Sequence, residues 1–333
     1  MTITDTSSAA PTVRKLSSLQ LASRYGTMLA LLLLILFNLA MTPNFLSWQT
    51  VNVNLTQVAA IVIVATGMTL VIATGGIDLS VGSLMAISGA VAPMIFLDTL
   101  VPIADPVLAV ALAFVLPILV TMAFGWFNGM LVTRYAIQPI VATLVLFIAG
   151  RGIAQVITNG NLQVFKNPGF QFIAMGQIAG IPAQVALMLV VAAAAFAVMR
   201  YTMFGRQVLA VGGNEKAARL AGIPVRRIKI LVYVISGALA GLAGLVVVAR
   251  NSASDANLVG LGMELDAIAA VAVGGSLLSG GRANIIGTLL GALVIQLVRY
   301  TLLANGVPDA AALVVKAGLI VLAVYVQQRA DRS

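Results

Sequence analysis

The sequence predicts an all-α, polytopic membrane helix bundle of about ten transmembrane helices, interrupted by Gly-rich helix breaks. Three observations predict it: a shortage of charge, apolar windows of spanning length, and Lys and Arg gathered between those windows. Hydrophobic residues make up 61% of the 333 residues and charged residues only 9%. A soluble domain carries roughly 25% charged residues, so this chain is built for lipid.

A helix needs about 20 mostly apolar residues to cross the hydrocarbon core. Such windows lie near 27–42, 51–74, 79–97, 106–132, 139–158, 183–200, 228–249, 264–281, 284–304 and 309–327. Backbone in lipid must satisfy its own hydrogen bonds, so these windows read as helices rather than open strands. Residues 1–26 read as a cytoplasmic tail, 27–327 as the transmembrane unit and 328–333 as a second short tail. Arg14, Lys15 and Arg24 precede the apolar run Met28–Leu36, and Met41-Thr42-Pro43 follows it without a small-x-small cleavage pattern. The first window therefore reads as an uncleaved span.

Basic residues set the orientation. The segment 200–229 holds Arg200, Arg206, Lys216, Arg219, Arg226, Arg227 and Lys229 against one acid, Glu215. By the positive-inside rule it is cytoplasmic, as are Arg134, Arg329 and Arg332. Asn159–Pro182, with Lys166 alone, reads as outside, together with Asp98 and Asp105. Ten spans with both termini inside fit this pattern, and Arg250 and Arg299 are the exceptions.

Several functions are excluded. The chain has no Cys and no His, which removes Cys nucleophiles, Ser-His triads and the usual zinc sites. The formal charge of +9 is spread between apolar runs, not on a basic face with interleaved aromatics, so nucleic acid is not a partner. No Gly-Lys dipeptide occurs, so no P-loop G-x-x-x-x-G-K-[ST] exists. If transport is ATP-driven, the ATPase is another chain.

The first chemical feature is Thr74–Ser83. Gly75 and Gly76 interrupt a helix and free backbone polar groups, which is tolerated at depth only in protein or beside water. Asp78 and Ser80 lie in the break. An acid at a membrane span marks a path by default, and either side chain can also cap the next helix. The segment Gly274–Gly281 echoes Gly75–Gly82. Broken helices of this kind face each other in transporters built of repeats. An inverted five-plus-five repeat puts its two breaks on opposite sides, whereas the ten-span count puts both inside.

Arg151 lies within the fifth window, in Gly150-Arg151-Gly152. It can meet Asp78, hold a carbonyl or snorkel outward. Gln138, Thr143 and Gln155 on or near that window offer donors and acceptors to a neutral sugar, or join helices to each other. Gly237, Gly241 and Gly244, like Gly287 and Gly291, have the spacing of close helix packing.

The basic segment carries a short helix. Asn214 caps it, Lys216–Ala221 suit a helix, Gly222 ends it and Pro224 prevents its return. Such a helix on the cytoplasmic face can press into a soluble partner and pass motion to the spans.

These residues resemble the ribose-type family of ABC-importer permeases. The resemblance rests on Ala73–Gly82, on Ala210–Asn214 with Ala217-Ala218 and Gly222, and on Glu264–Ala270 leading to Gly274-Gly275 and Gly280-Gly281-Arg282. Ile137–Leu144, Ala149–Gln155 and Asp255-Ala256-Asn257 are similar to the galactofuranose branch. The resemblance covers roughly residues 50–325.

The resemblance implies import of a monosaccharide across the bacterial inner membrane by alternating access. It implies an extracytoplasmic binding protein, a cytoplasmic ATPase that uses ATP and Mg, and a second permease subunit, identical or related. The chain itself is expected to hold no catalytic residue, cofactor or metal. Asp78, Ser80, Gln138, Thr143, Arg151 and Gln155 are the candidates for the pathway. Gly212, Asn214, Glu215, Ala217, Ala218 and Gly222 are the candidates for coupling to the ATPase. In the usual pattern an acid directly precedes the two alanines; here Lys216 does, and the acid stands one place earlier, at Glu215. The alternative is a secondary sugar carrier driven by an ion gradient.

Overall fold

The computed structural model describes residues 18–97, 103–308, 310–315, 317–318 and 321, with side chains from residue 26 onward. Residues 1–17, the tail 328–333, Asp98 and most of the last window lie outside the described residues, and residues 18–26 of the first tail are helical. Among the described residues, twelve bounded helices run in the order α1 (Ser18–Met41), α2 (Trp48–Ala73), α3 (Val81–Phe96), α4 (Pro106–Arg134), α5 (Pro139–Ile157), α6 (Pro168–Met175), α7 (Ala183–Tyr201), α8 (Met203–Gly213), α9 (Glu215–Leu220), α10 (Val225–Asn251), α11 (Met263–Val273) and α12 (Ile285–Ala304); residues 310–315 are helical as well. Among the described residues, six of them (α2, α4, α5, α7, α10 and α12) are long and apolar enough to cross a membrane, and α1 and α3 carry shorter apolar stretches. The chain is a multi-pass helical membrane protein.

The helix α2 is the axle of the bundle. Every residue from Val58 to Ala73 is buried. It is apolar all round, which is the pattern of a helix enclosed by others. Ser47 starts it by accepting the Thr50 amide. The helix α10 packs along α4 through small residues. Gly237 faces the Thr121 carbonyl, and Gly125 faces the Tyr233 carbonyl, so a Cβ at either position meets backbone. Gly287 and Gly291 press likewise on the Gly274 and Ala270 carbonyls of the neighbouring segment. Small residues let helices approach where apolar burial alone gives no preference in lipid.

Helix direction alternates, so the bundle has two ends. The basic end carries α8, α9 and the start of α10. At the far end β1 (Gln163–Val164) pairs antiparallel with β4 (Ala253–Ser254), and β2 (Gln177–Ile178) forms a hairpin with β3 (Ile181–Pro182). With α6 they cap α10, some 40 Å from its start at 1.5 Å per residue. Phe96, Phe114, Phe165 and Phe170 cluster under that cap, with ring centroids 4.9–5.6 Å apart.

The eighth window departs from expectation. Its helix α11 stops at Val273 after 11 residues, about 16 Å, roughly half of the hydrocarbon core. The stop is local: Gly275 takes φ +79°, the left-handed conformation that ends helices. The segment before α11 descends from the far end along α3. Ser254 and Val259 stand against Gly89, and Gly260 stands against Gly82, seven residues or about 10 Å further in. The helix α11 therefore starts inside the bundle and runs to the basic end.

Candidate functional site: a buried carboxylate at a helix break and a capped helix beside it

The break between α2 and α3 forms because Gly75 adopts φ +78°. Its amide donates to Ile72 O at 2.8 Å, and the Gly76 amide donates to Val71 O at 3.1 Å. This is the reciprocal bonding of a glycine helix stop. Asp78 follows and is wholly buried. Its Oδ1 accepts the Ser80 hydroxyl at 2.6 Å and the Ser80 amide at 3.0 Å. Its Oδ2 accepts the Ser236 hydroxyl of α10 at 2.8 Å. Among the described residues, the recorded ion pairs join Glu215 to Arg219 and Lys229 and leave Asp78 to neutral donors. A buried carboxylate is costly unless hydrogen-bonded, and three donors meet that need.

Two further helices close on the break. Asn128 of α4 donates from Nδ2 to Ser80 Oγ at 2.9 Å, and its buried Oδ1 accepts nothing. Thr143 of α5 accepts the Leu79 amide at 3.1 Å while donating to Pro139 O at 2.9 Å. Asp78, Ser80 and Thr143 are thus brought together at the break. The capping role is only half met: Asp78 takes the Ser80 amide, whereas Ser80 caps nothing in α3.

The other pathway candidates lie elsewhere. Arg151 does not meet Asp78. It sits eight residues along α5 from Thr143, about 12 Å, and its Nη1 donates to Val259 O at 2.7 Å and Ala256 O at 2.9 Å. Of the three options for Arg151, holding carbonyls is the one realised, and it pins the descending segment. Gln155 Nε2 donates to Asn257 Oδ1 at 2.7 Å in the same place. Gln138 is exposed at the basic end, just before α5.

Sequence reasoning missed Asn128, Tyr233, Ser236 and Glu264. Tyr233 and Ser236 sit three apart on α10, one face of a helix, and Tyr233 is all but buried. Glu264 is buried in the first turn of α11, and its Oε2 has no partner; Gly82 leaves the room, since a Cβ there collides with that oxygen. The signal for Glu264 was available, as an acid in a membrane window.

The basic segment holds two helices where one was expected. Thr202 caps α8 by accepting the Gly205 amide. Asn214 Oδ1 accepts the Ala217 amide at 3.0 Å and opens α9. Gly222, at φ +80°, closes α9 as expected, its amide bonding Arg219 O. Glu215 accepts Lys229 Nζ at 2.6 Å and Arg219 Nη2 at 3.1 Å. The hydrogen bond from Lys229, with the charges of Lys229 and Arg219, holds the Glu215 carboxyl below its ordinary range although partial burial opposes this. Ala218 is buried against the body while Ala217 faces out. Leu220, which the sequence did not single out, is 90% exposed at the tip of α9.

A ribose import permease of Escherichia coli (strain K12) is 42% identical over 91% of this chain and 93% of its own. A galactofuranose transporter permease of the same strain is 39% identical over 91% and 89%. An L-arabinose ABC transporter permease of Azospirillum brasilense is 34% identical over 93% and 88%. Both branches that the motifs resemble are among these relatives. No solved structure matches the chain. Residues 51–324 match the family described as the permease component of the branched-chain amino acid transport system, and the chain belongs to that family.

Proposed function

We propose that this chain is the permease subunit of an ATP-driven importer that takes a monosaccharide across the bacterial inner membrane by alternating access. The observation that carries the reading is the pairing of an internal polar break, centred on Asp78, with an exposed capped helix at one end, in a chain so similar to sugar permeases. The relatives named above are permeases for ribose, galactofuranose and L-arabinose, so a pentose or hexose is the expected cargo.

In this reading the basic end is cytoplasmic and α9 docks on a separate ATPase, which binds ATP and Mg. The binding protein delivers sugar to the far end, beside Gln155, Arg151 and Asn257. Ten spans and two cytoplasmic termini complete the topology. A second permease subunit, a copy or a relative, forms the other wall. The importer relatives favour this over a gradient-driven carrier. The donors and acceptors of the break suit hydroxyl groups, which carry no charge and need hydrogen bonds on the way.

The test is uptake into proteoliposomes holding this chain, its ATPase and its binding protein. Radiolabelled ribose, arabinose, fructose and galactofuranose are offered with ATP inside the complex's ATPase compartment. ATP-dependent uptake of one sugar is expected. Uptake of leucine but no sugar overturns the cargo class, and uptake by the chain alone under an imposed ion gradient overturns the importer.

A further inference from the structure

Three glycine-rich segments that are far apart in the chain meet backbone to backbone at the basic end. The first is the stop of α2 at Gly75. The second is the stop of α11 at Gly275, which repeats the first bond for bond: its amide donates to Ala272 O, and the Ser276 amide donates to Val271 O at 3.2 Å. The positive φ values of the two glycines, +78° and +79°, match. The echo between Gly75–Gly82 and Gly274–Gly281 covers two like helix stops, one residue out of the echo's register, because Gly275 rather than Gly274 takes the positive φ. Both lie at the same end of the bundle, contrary to what an inverted repeat requires. The third segment is Gly212-Gly213, the last turn of α8.

At Gly212, Gly280 and Gly281 the contacts leave no room for a side chain. The Gly281 amide donates to Ala73 O at 3.0 Å and joins the α2 stop to the loop six residues beyond the α11 stop. A Cβ on Gly212 collides with that same Ala73 carbonyl and with the Gly281 amide. A Cβ on Gly280 comes within 2.8 Å of Gly75 N and 3.0 Å of Gly212 O, and one on Gly281 within 2.9 Å of Gly213 Cα. Gly213 differs from Gly212, because its own Cβ position is open. Ala73 stands five residues before Asp78, and Gly213 adjoins Asn214, the cap of α9. The joint thus links α9 to the buried carboxylate through backbone alone. A parallel route runs through the Glu215–Lys229 pair into α10, which carries Ser236.

We infer that this triple-glycine joint is the fixed linkage through which α8 and α9 position the Asp78 break, with Gly212 as its positioning residue. The inference rests on the permease reading above. Motion passes between sites through elements that stay packed while others rearrange, and backbone touching backbone has no side-chain rotamers with which to yield. A load applied to α9 shifts Ala73, Gly281 and the two stops together.

The experiment uses the full reconstituted complex and the sugar that the wild type takes up. Gly212→Ala is expected to cut sugar moved per ATP hydrolysed at least tenfold, while the ATPase still co-purifies and keeps its basal hydrolysis. Gly213→Ala is expected to keep the wild-type ratio. An unchanged ratio in Gly212→Ala overturns the joint. If Gly212→Ala does not assemble, hydrogen exchange on the wild-type complex decides. The Gly281 amide, bonded to Ala73 O, is expected to stay protected both with ATP bound and without it, because a fixed joint does not open. Loss of its protection in either state overturns the joint. A wild-type complex that moves no sugar fails the permease reading instead, so the two failures differ.

Discussion

Asp78 is held by two hydroxyls and an amide. A hydrogen bond contributes roughly 0.5–1.5 kcal/mol net, and a buried polar group left unsatisfied costs roughly 1–3 kcal/mol. Asp78→Asn keeps the shape but sets an amide group against hydroxyls that donate to a carboxylate. It is expected to lower stability by about 2 kcal/mol, read as a shifted denaturation midpoint in detergent. Ser236→Ala is expected to lower it by about 1 kcal/mol. The double variant should cost less than the sum, because both changes act on one carboxylate. The candidacy of Asp78 was legible, since an acid among glycines at a span is rare. Its partners were not legible, because Asn128 and Ser236 are distant in sequence and come to it only through helix packing.

Glu215 shows a different residue-scale effect. Its carboxyl ionises more readily in the folded chain than its ordinary value of 4.5, chiefly through the Lys229 hydrogen bond. A lowered folded-state value means that the stabilisation is complete above the unfolded value and fades as pH falls through the folded one. Protection of the α9 amides in hydrogen exchange is expected to stay level from neutral pH to about pH 5 and to fall in more acidic buffer. Glu215→Gln is expected to show weaker protection with no such fall.

At the scale of elements, α9 is a small lever with one apolar tip. Leu220→Ala is expected to weaken co-purification of the ATPase roughly tenfold, about 1.4 kcal/mol, with the thermal midpoint of the isolated chain unchanged. A bulky residue at Ala218 does something else: it strikes the body of the protein and costs stability first. The existence of α9 was legible from Asn214, Gly222 and Pro224. Which alanine faces inward was not, because both suit a helix equally and only the docking of α9 against the bundle separates them. The α4–α10 seam carries a parallel lesson. Gly237→Val is expected to destabilise the chain by at least roughly 1–3 kcal/mol, since backbone faces it. The glycine spacing on α10 was readable, while its seat on Thr121 and Gly125 was set by topology.

For the whole molecule, the two ends of the bundle are expected to face opposite compartments. The absence of Cys gives a clean test with single replacements. Leu220→Cys should react with an impermeant maleimide only from the cytoplasmic side, and Leu162→Cys, 58% exposed in the far-end cap, only from outside. Labelling of both from one side overturns the orientation.

The sequence by itself determined the membrane class, seven of the helical windows among the described residues to within a few residues, the helix stop at Gly75 and the cap at Asn214. These follow from local causes: apolar length, glycine φ freedom and short-range hydrogen bonds. Only the tertiary structure decided that α11 is a half-length helix starting inside the bundle, that Arg151 holds the Ala256 and Val259 carbonyls rather than Asp78, and that three glycine segments share one joint. Those facts depend on which backbones lie within a few ångströms of each other, and such neighbours are chosen by the packing of the whole bundle.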